Sequence, residues 1–333
     1  MKALALLSGG LDSTLAIKVV QEQGVEVEAV NFITPFCTCT SKRMLKAGCL
    51  ASKLAAERLG VKLTIFNVGT EFLQVVKNPK HGYGRGMNPC LDCRILMFRK
   101  ARDHMQEIGA SFLVTGEVLG ERPMSQRLEA MRLIEKEAGL EGLILRPLSA
   151  KLLPPSIPER MGWVDRSRLL AIKGRSRKPQ MRLAEQLGIK DYPCPAGGCL
   201  LTDPGFARRI RDLIEYQPDF NLGDVRLLKV GRHFRINPKA KLVVGRNHEE
   251  NLKLRAFLRQ GDILFEPSDV KGPLALGRGR FDPDELRLCA EIVARYSDVE
   301  DDSARVICRK DEKEILFTVS PLTDEEKLSF MRI

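Results

Sequence analysis

Over its first 150 residues the chain alternates five times between short apolar runs and longer stretches of helical periodicity. The apolar runs are residues 2–7, "VEVEAVNF", "VKLTIFNV", "SFLVTG" and "LILRPLSA". Between them lie residues 12–23, "SKRMLKAGCLASKLAAERLG", "LDCRILMFRKARDHMQEIG" and "MSQRLEAMRLIEKEAG". In the third of these, Leu91, Ile95, Phe98, Met105 and Ile108 fall on one helical face. Strand and helix in regular alternation predict an α/β fold, an open parallel sheet covered by helices on both faces.

Past residue 150 the pattern breaks. "KLLPPSIPERMGW" is Pro-rich, "GRSRKPQMRLAEQLGI" is a basic helix or its approach, and Asp203 followed by Pro204 reads as a helix start. From about residue 220 short strands are expected at "VRLLKVG", "KLVVGR", "DILFEP" and "EILFTVS", with helices near 248–259 and 283–296. The reading is therefore a core over 1–150, an extension over 151–220 that completes a site, and a smaller α+β module over 221–333. The module is basic: residues 221–280 carry 13 Lys and Arg against 6 Asp and Glu, in a chain of net charge +11. Such a surplus points to a polyanion, with an ordinary solvated basic face as the plainer alternative.

No run of 18 apolar residues suggests a membrane span, and the apolar stretch after Met1 is too short for a signal peptide, so the expectation is a cytoplasmic protein. Nine cysteines, an odd number, argue against a disulfide framework and for metal or redox use.

The first strand runs into "SGGLDS" and at once into a helix. In open parallel sheets ligands bind beyond the carboxyl ends of the strands. Glycines there let backbone N–H groups turn toward an anion, and the helix N-terminus adds partial positive charge. Ser8, Gly9, Gly10 and Ser13 are candidate phosphate contacts, and Asp12 suits Mg2+ or the fixing of the loop. The P-loop and dinucleotide patterns are absent.

Ser-Gly-Gly-x-Asp-Ser after a first strand resembles the signature of the PP-loop ATP pyrophosphatases, of HUP-like fold, which split ATP between the α and β phosphates and adenylate a carbonyl oxygen. "TGEVLGERPMSQ" is similar to the segment that follows the fourth strand in the tRNA 4-thiouridine synthetase family. It departs from that pattern at Glu121, where the family usually carries Gln. The resemblance implies ATP bound by Ser8, Gly9, Gly10, Asp12, Ser13, Asn31, Thr115, Gly116 and Glu117, with Asp12 and Ser13 catalytic. Ser125 and Gln126 would open the next helix.

"NPCLDC" places Cys90 and Cys93 at the start of a helix, and "CPAGGC" offers Cys199 or Cys194 as a third thiolate. Cluster-dependent tRNA thiolases carry a Cys-x-x-Cys and one distant Cys. The resemblance thus implies a 4Fe–4S cluster on Cys90, Cys93 and Cys199, with Cys90 and Cys199 taking part in sulfur transfer. Zinc and persulfide chemistry are the alternatives. Cys37 and Cys39 stay unassigned. The basic run Lys173, Arg175, Arg177, Lys178 and Arg182, with Arg208, Arg209 and Arg211, fits tRNA phosphates. "KLVVGRNHEENLKLRAFLRQGD" and "GPLALGRG" resemble the NFACT RNA-binding domain.

The function expected is ATP-dependent tRNA sulfurtransfer to a uridine carbonyl, with tRNA and a sulfur donor (sulfide or a persulfide carrier) as partners. No membrane is involved and a homodimer is left open. The competing expectations are a PP-loop ligase or amidotransferase on a small acid, and a non-catalytic RNA-binding protein.

Overall fold

The computed structural model describes residues 1–37, 48–190, 192, 198–300 and 302–333. The chain divides into two compact units, Met1–Thr202 and Asp203–Ile333.

The first unit is built on β1 (Lys2–Leu6), β2 (Glu26–Ile33), β3 (Leu63–Asn67), β4 (Phe112–Val114) and β5 (Ile144–Leu145). The strands are parallel, in the order β3-β2-β1-β4-β5. Its helices include α1 (Leu11–Gln21), α2 (Gly48–Leu59), α3 (Gly69–Lys77), α4 (Cys90–Glu107), α5 (Leu128–Ala138) and α6 (Lys178–Gln186). Alternate residues of β1 feed opposite cores. Ala3 and Ala5 pack with Leu15, Val19 and Val20 of α1, while Leu4 packs with Phe98 and Ala101 of α4 and Ile134 of α5. The sheet is thus covered on both faces, as its near-continuous apolar strands require.

The strand order reverses between β1 and β4, so the crevice that this topology opens lies where "SGGLDS" and "TGE" leave the sheet. The fifth strand is only two residues long, because Pro147 soon follows and cannot donate to a ladder. Helix α3 was missed by the periodicity. Its phenylalanine, Phe72, packs edge-on against Phe36.

The second unit has α7 (Pro204–Tyr216), α8 (Leu222–Leu227), β6 (Arg232–Asn237), β7 (Ala240–Val244), α9 (His248–Ala256), β8 (Ile263–Pro267), β9 (Ala275–Gly279), α10 (Pro283–Arg295), β10 (Ala304–Lys310), β11 (Lys313–Val319) and α11 (Glu325–Met331). Its sheet is antiparallel, in the order β11-β10-β8-β9-β7-β6. Helix α10 lies on one face with Phe234, Leu242 and Phe265; Leu227 of α8 and Leu254 of α9 lie on the other with Val243 and Leu276.

Asp203 caps α7, accepting from the Phe206 N–H at 2.8 Å, which contributes about 1 kcal/mol. "VRLLKVG" is not a strand. The Asn221 side chain accepts from Asp224 N–H while the Asp224 carboxylate accepts from Asn221 N–H at 3.0 Å. This reciprocal cap starts a helix through Leu227 and defers the strand to Arg232. Among the described residues, no helix is long and apolar enough to cross a membrane.

Candidate functional site

The ladder of β1 continues one residue past the strand: Leu7 N–H donates to Val30 C=O at 2.9 Å. The chain then turns through Ser8, Gly9 and Gly10 into α1. Gly9 has φ +78°, and a Cβ there would lie 2.6 Å from the Ala51 and Ser52 backbone of α2. Glycine is required both for the left-handed turn and for the close approach. The Ser8 and Ser13 hydroxyls are 3.1 Å apart, and Ser13 Oγ donates to Gly10 C=O at 3.0 Å. Ser13 is buried, so its first task is to hold the turn. Asn31 Nδ2 donates to Leu7 C=O at 2.7 Å and anchors the base of the loop.

The segment after β4 closes directly on this loop. A Cβ on Gly116 would lie 2.4 Å from Ser13 N and 2.5 Å from the Asp12 carbonyl carbon. Thr115 and Glu117 are both 2% exposed. Arg146 Nε donates to Glu117 Oε2 at 3.0 Å, and Arg94 Nε lies 3.4 Å from Oε1. Arg94 stands on α4, one residue after Cys93, so the buried carboxylate joins the nucleotide-type loop to the cysteine helix. Ser125 and Gln126 do not begin α5, which starts at Leu128. Gln126 instead closes its own loop, accepting from Gly120 N–H at 2.7 Å and from Arg122 N–H at 3.1 Å.

The basic segment is brought to the same place. Gly174 N–H donates to Leu119 C=O at 2.8 Å, beside a bridge between Leu119 and Lys173. Helix α6 packs on α1 and sets Gln180 against Asp12. Burial raises the Asp12 pKa, opposed by Arg177, the Gln180 amide and Arg122. Burial likewise raises Glu121, the charge on Asp12 adds to that, and Arg122 and Arg177 oppose it.

Cys90 and Cys93 occupy the first turn of α4 and are free thiols. Leu200 N–H donates to Phe36 C=O at 2.9 Å, and Met87 N–H donates to Leu201 C=O at 2.9 Å. The stretch carrying Cys199 is thereby tied to the segments leading into Cys37 and Cys90. Burial pushes the Cys93 thiol up to about 12 against the pull of Arg94, and negative charge on Cys199 and Cys90 adds to the rise. Burial also raises Cys90, opposed by Arg122 and Arg94. Cys199 and Cys37 form a backbone bridge, and Cys37 is disulfide-bonded. Cys39 and Cys194 lie outside the described residues. Among the described residues, no three Cys, His, Asp or Glu side chains gather closely enough to hold a metal ion.

Residues 1–151 match the family model described as thiamine biosynthesis protein (ThiI). Over those residues the chain is similar to that family. Residues 231–331 match the NFACT protein RNA binding domain, so both resemblances read from the sequence hold. The chain is 32% identical over 168 residues to a probable tRNA sulfurtransferase of Lysinibacillus sphaericus, covering 50% of this chain and 39% of that one. A probable tRNA sulfurtransferase of Staphylococcus aureus (strain Newman) is 33% identical over 150 residues, covering 44% and 34%. The chain thus spans about two fifths of the length of the curated relatives it matches. Among solved structures, the U34-tRNA thiolase NcsA from Methanococcus maripaludis, with its 4Fe-4S cluster, is similar at 16% identity. The similarity covers 69% of this chain and 70% of that one, with a TM-score of 0.32.

Sequence reasoning did not single out Arg94 or Gln180. Arg94 has no local signal, since its partner Glu117 is 23 residues away. Gln180 sits in a run of cations that reads as solvent-facing.

Proposed function

We propose that the chain is an ATP-dependent tRNA sulfurtransferase of cytoplasmic type. The observation that carries this reading is the closure of Gly116 onto Asp12 and Ser13 at the strand-order reversal, with Glu117 linked through Arg94 to the Cys90–Cys93 helix. An ATP site and a thiol site then share one wall. The ThiI-like match and the RNA-binding match support tRNA as the substrate.

Backbone N–H groups of the glycine turn and the N-terminus of α1 hold the phosphates, with Ser8 at the loop's exposed side. Thr115, Gly116 and Glu117 form the opposite wall. The uridine carbonyl oxygen attacks the α phosphorus; the bond to the bridging oxygen breaks and pyrophosphate leaves. AMP is now the leaving group on the ring carbon. Sulfur adds to that carbon and AMP departs, which exchanges C=O for C=S. The orphaned Oδ1 of Asp12 fits a hard cation, and Mg2+ there would neutralise phosphate charge. Cys90, Cys93 and Cys199 have the donor chemistry for a 4Fe–4S cluster, whose contribution when bound is to carry sulfide. With a persulfide donor instead, Cys90 takes the outer sulfur as its own persulfide, whose terminal sulfur attacks the ring carbon as AMP leaves; Cys199 then attacks Cys90 Sγ, breaking the S–S bond to leave C=S on the ring and a Cys90–Cys199 disulfide. Arg94 and Arg122 favour the thiolate forms in either case.

The test is ATP-to-AMP turnover with and without tRNA, followed by mass spectrometry of the tRNA nucleosides. Pyrophosphate release that requires tRNA, together with a thiolated uridine, is expected. Turnover on a small acid without tRNA would favour a ligase.

A further inference from the structure

Helix α6 has two faces with different tasks. Gln180 and Ala184 are buried, and Leu183 and Leu187 pack on the core of the first unit. Lys178, Met181, Arg182 and Glu185 stand three and four residues apart and form a stripe on the other side. Met181, in the middle of that stripe, is 49% exposed. At the helix end Gly188 has φ +68° and reverses the chain: its N–H donates to Glu185 C=O at 3.2 Å, and Ile189 N–H donates to Ala184 C=O at 2.8 Å. The reversal brings Ile189, Lys190 and Tyr192 back beside the stripe, and Ile189 and Tyr192 are anchored on the core beneath. The two stretches line an open groove of about 500 Å³, within the roughly 300–1,000 Å³ of small-ligand clefts.

The floor of the groove is apolar, from Met181, Ile189 and Tyr192, and its rim carries Lys178, Arg182, Lys190 and one carboxylate, Glu185. Among the described residues none of these four charged groups makes an ion pair. Elsewhere Arg146, Arg166, Arg235 and Arg278 each hold a carboxylate. A bare phosphate would use the cations, leave the floor uncovered and meet Glu185. An apolar peptide would leave the cations idle. A nucleotide in a strand uses every part: its base covers the floor and stacks on the Tyr192 ring, Glu185 accepts from a base N–H, and the flanking phosphates meet the three cations.

We infer that this groove holds one unstacked nucleotide of a single-stranded RNA segment. The inference rests on the tRNA reading above and assigns the place where the strand beside the reacting uridine is gripped. Helix α6 packs on α1, which starts from the phosphate loop. The groove lies on the far side of α6, so about 10 Å, one helix diameter, stands between the two. The nucleotide held here is therefore a neighbour of the reacting uridine.

The probe is a short single-stranded RNA of mixed sequence carrying 5-iodouridine, bound to the full chain, irradiated and mapped by mass spectrometry. An abasic strand of the same length supplies the phosphates without the bases. A cross-link on Met181 or Tyr192 is expected. Met181→Ser, at an exposed position, should weaken the base-bearing strand roughly fivefold and leave the abasic strand unchanged. Arg182→Gln should weaken both strands and lower the salt slope by about 0.7. Cross-links confined to residues 203–333, or equal affinity of wild type and Met181→Ser for the base-bearing strand, overturn the groove. Complete displacement of the cross-link by AMP also overturns it, by making it a mononucleotide site. Any of these results beside tRNA-dependent turnover would leave the sulfurtransferase reading standing. The expected cross-link without such turnover would sink that reading and leave the groove.

Discussion

The two units differ in how their most enclosed polar clusters are satisfied. In the second, Arg235 makes a two-pronged contact with Asp212 at 2.9 and 2.6 Å, and Arg278 does the same with Asp262 at 2.9 and 2.6 Å. Asp224, 1% exposed, is shared between Arg259 and Arg278. In the first, the charged and polar groups around the strand-order reversal are only partly served: Asp12 Oδ1, both amide atoms of Gln180, Glu117 Oε1 and Arg146 Nη2 lack hydrogen-bond partners among the described residues. Paired buried charge organises a fold, whereas orphaned buried charge collects where a ligand supplies the missing partners.

The largest expected effect breaks a pair. Asp224→Ala leaves Arg259 without its carboxylate and removes one half of the reciprocal cap of α8. It should cost about 3 kcal/mol, read as faster hydrogen exchange of the β7 and β9 amides. A loss under about 1 kcal/mol would mean that Asp262 alone balances the layer.

The next acts on the orphaned side. Gly116→Ala drives a methyl into the Asp12–Ser13 backbone and should lower pyrophosphate release about 100-fold. Trp163, the chain's one tryptophan, stacks on Phe112 of β4 at 6.1 Å between centroids and reports whether this unit stays folded. Wild-type turnover with unchanged fluorescence would separate the two loops functionally.

The smallest sharpens the exception. Lys241 lies between Arg235 and Arg278 in cross-strand register, is 2% exposed, and its Nζ has no hydrogen-bond partner among the described residues. Burial brings its pKa down to about 8. The folded state therefore binds this proton more weakly than the unfolded chain. The destabilisation is full below about pH 8 and fades as pH rises toward the ordinary lysine value of 10.5. Lys241→Met should stabilise the unit by about 1–3 kcal/mol at pH 7, and by progressively less from pH 8 upward. A gain that persists undiminished above pH 10 would assign the effect to packing rather than to charge.

"SGGLDS" was legible because strand, turn and helix lie within a few consecutive residues, and each constrains the next. The parallel sheet was legible for the same reason, since βα alternation leaves few topologies. What escaped are contacts set by tertiary closure. Nothing near Gln180 in "SRKPQMR" marks it as the one fully buried member of a basic run. The bridge of Cys37 to Cys199 joins residues 162 positions apart. "VRLLKVG" misled because its apolar spacing suits a strand, while the decisive Asn221 and Asp224 signal begins upstream of it. β10, "ARVICRK", was missed because arginines occupy its exposed face.

The glycines at 9 and 116 also bear on how variation in this chain should be weighed. Each is demanded by another stretch of backbone pressed against it, so a descendant that had lost all activity would still keep both in order to fold. Gln180 is under the reverse demand. An apolar residue would serve folding better there, and drift without selection for activity should remove the amide early. Retention of that one buried glutamine, more than the intact glycines, would distinguish working copies from silent ones.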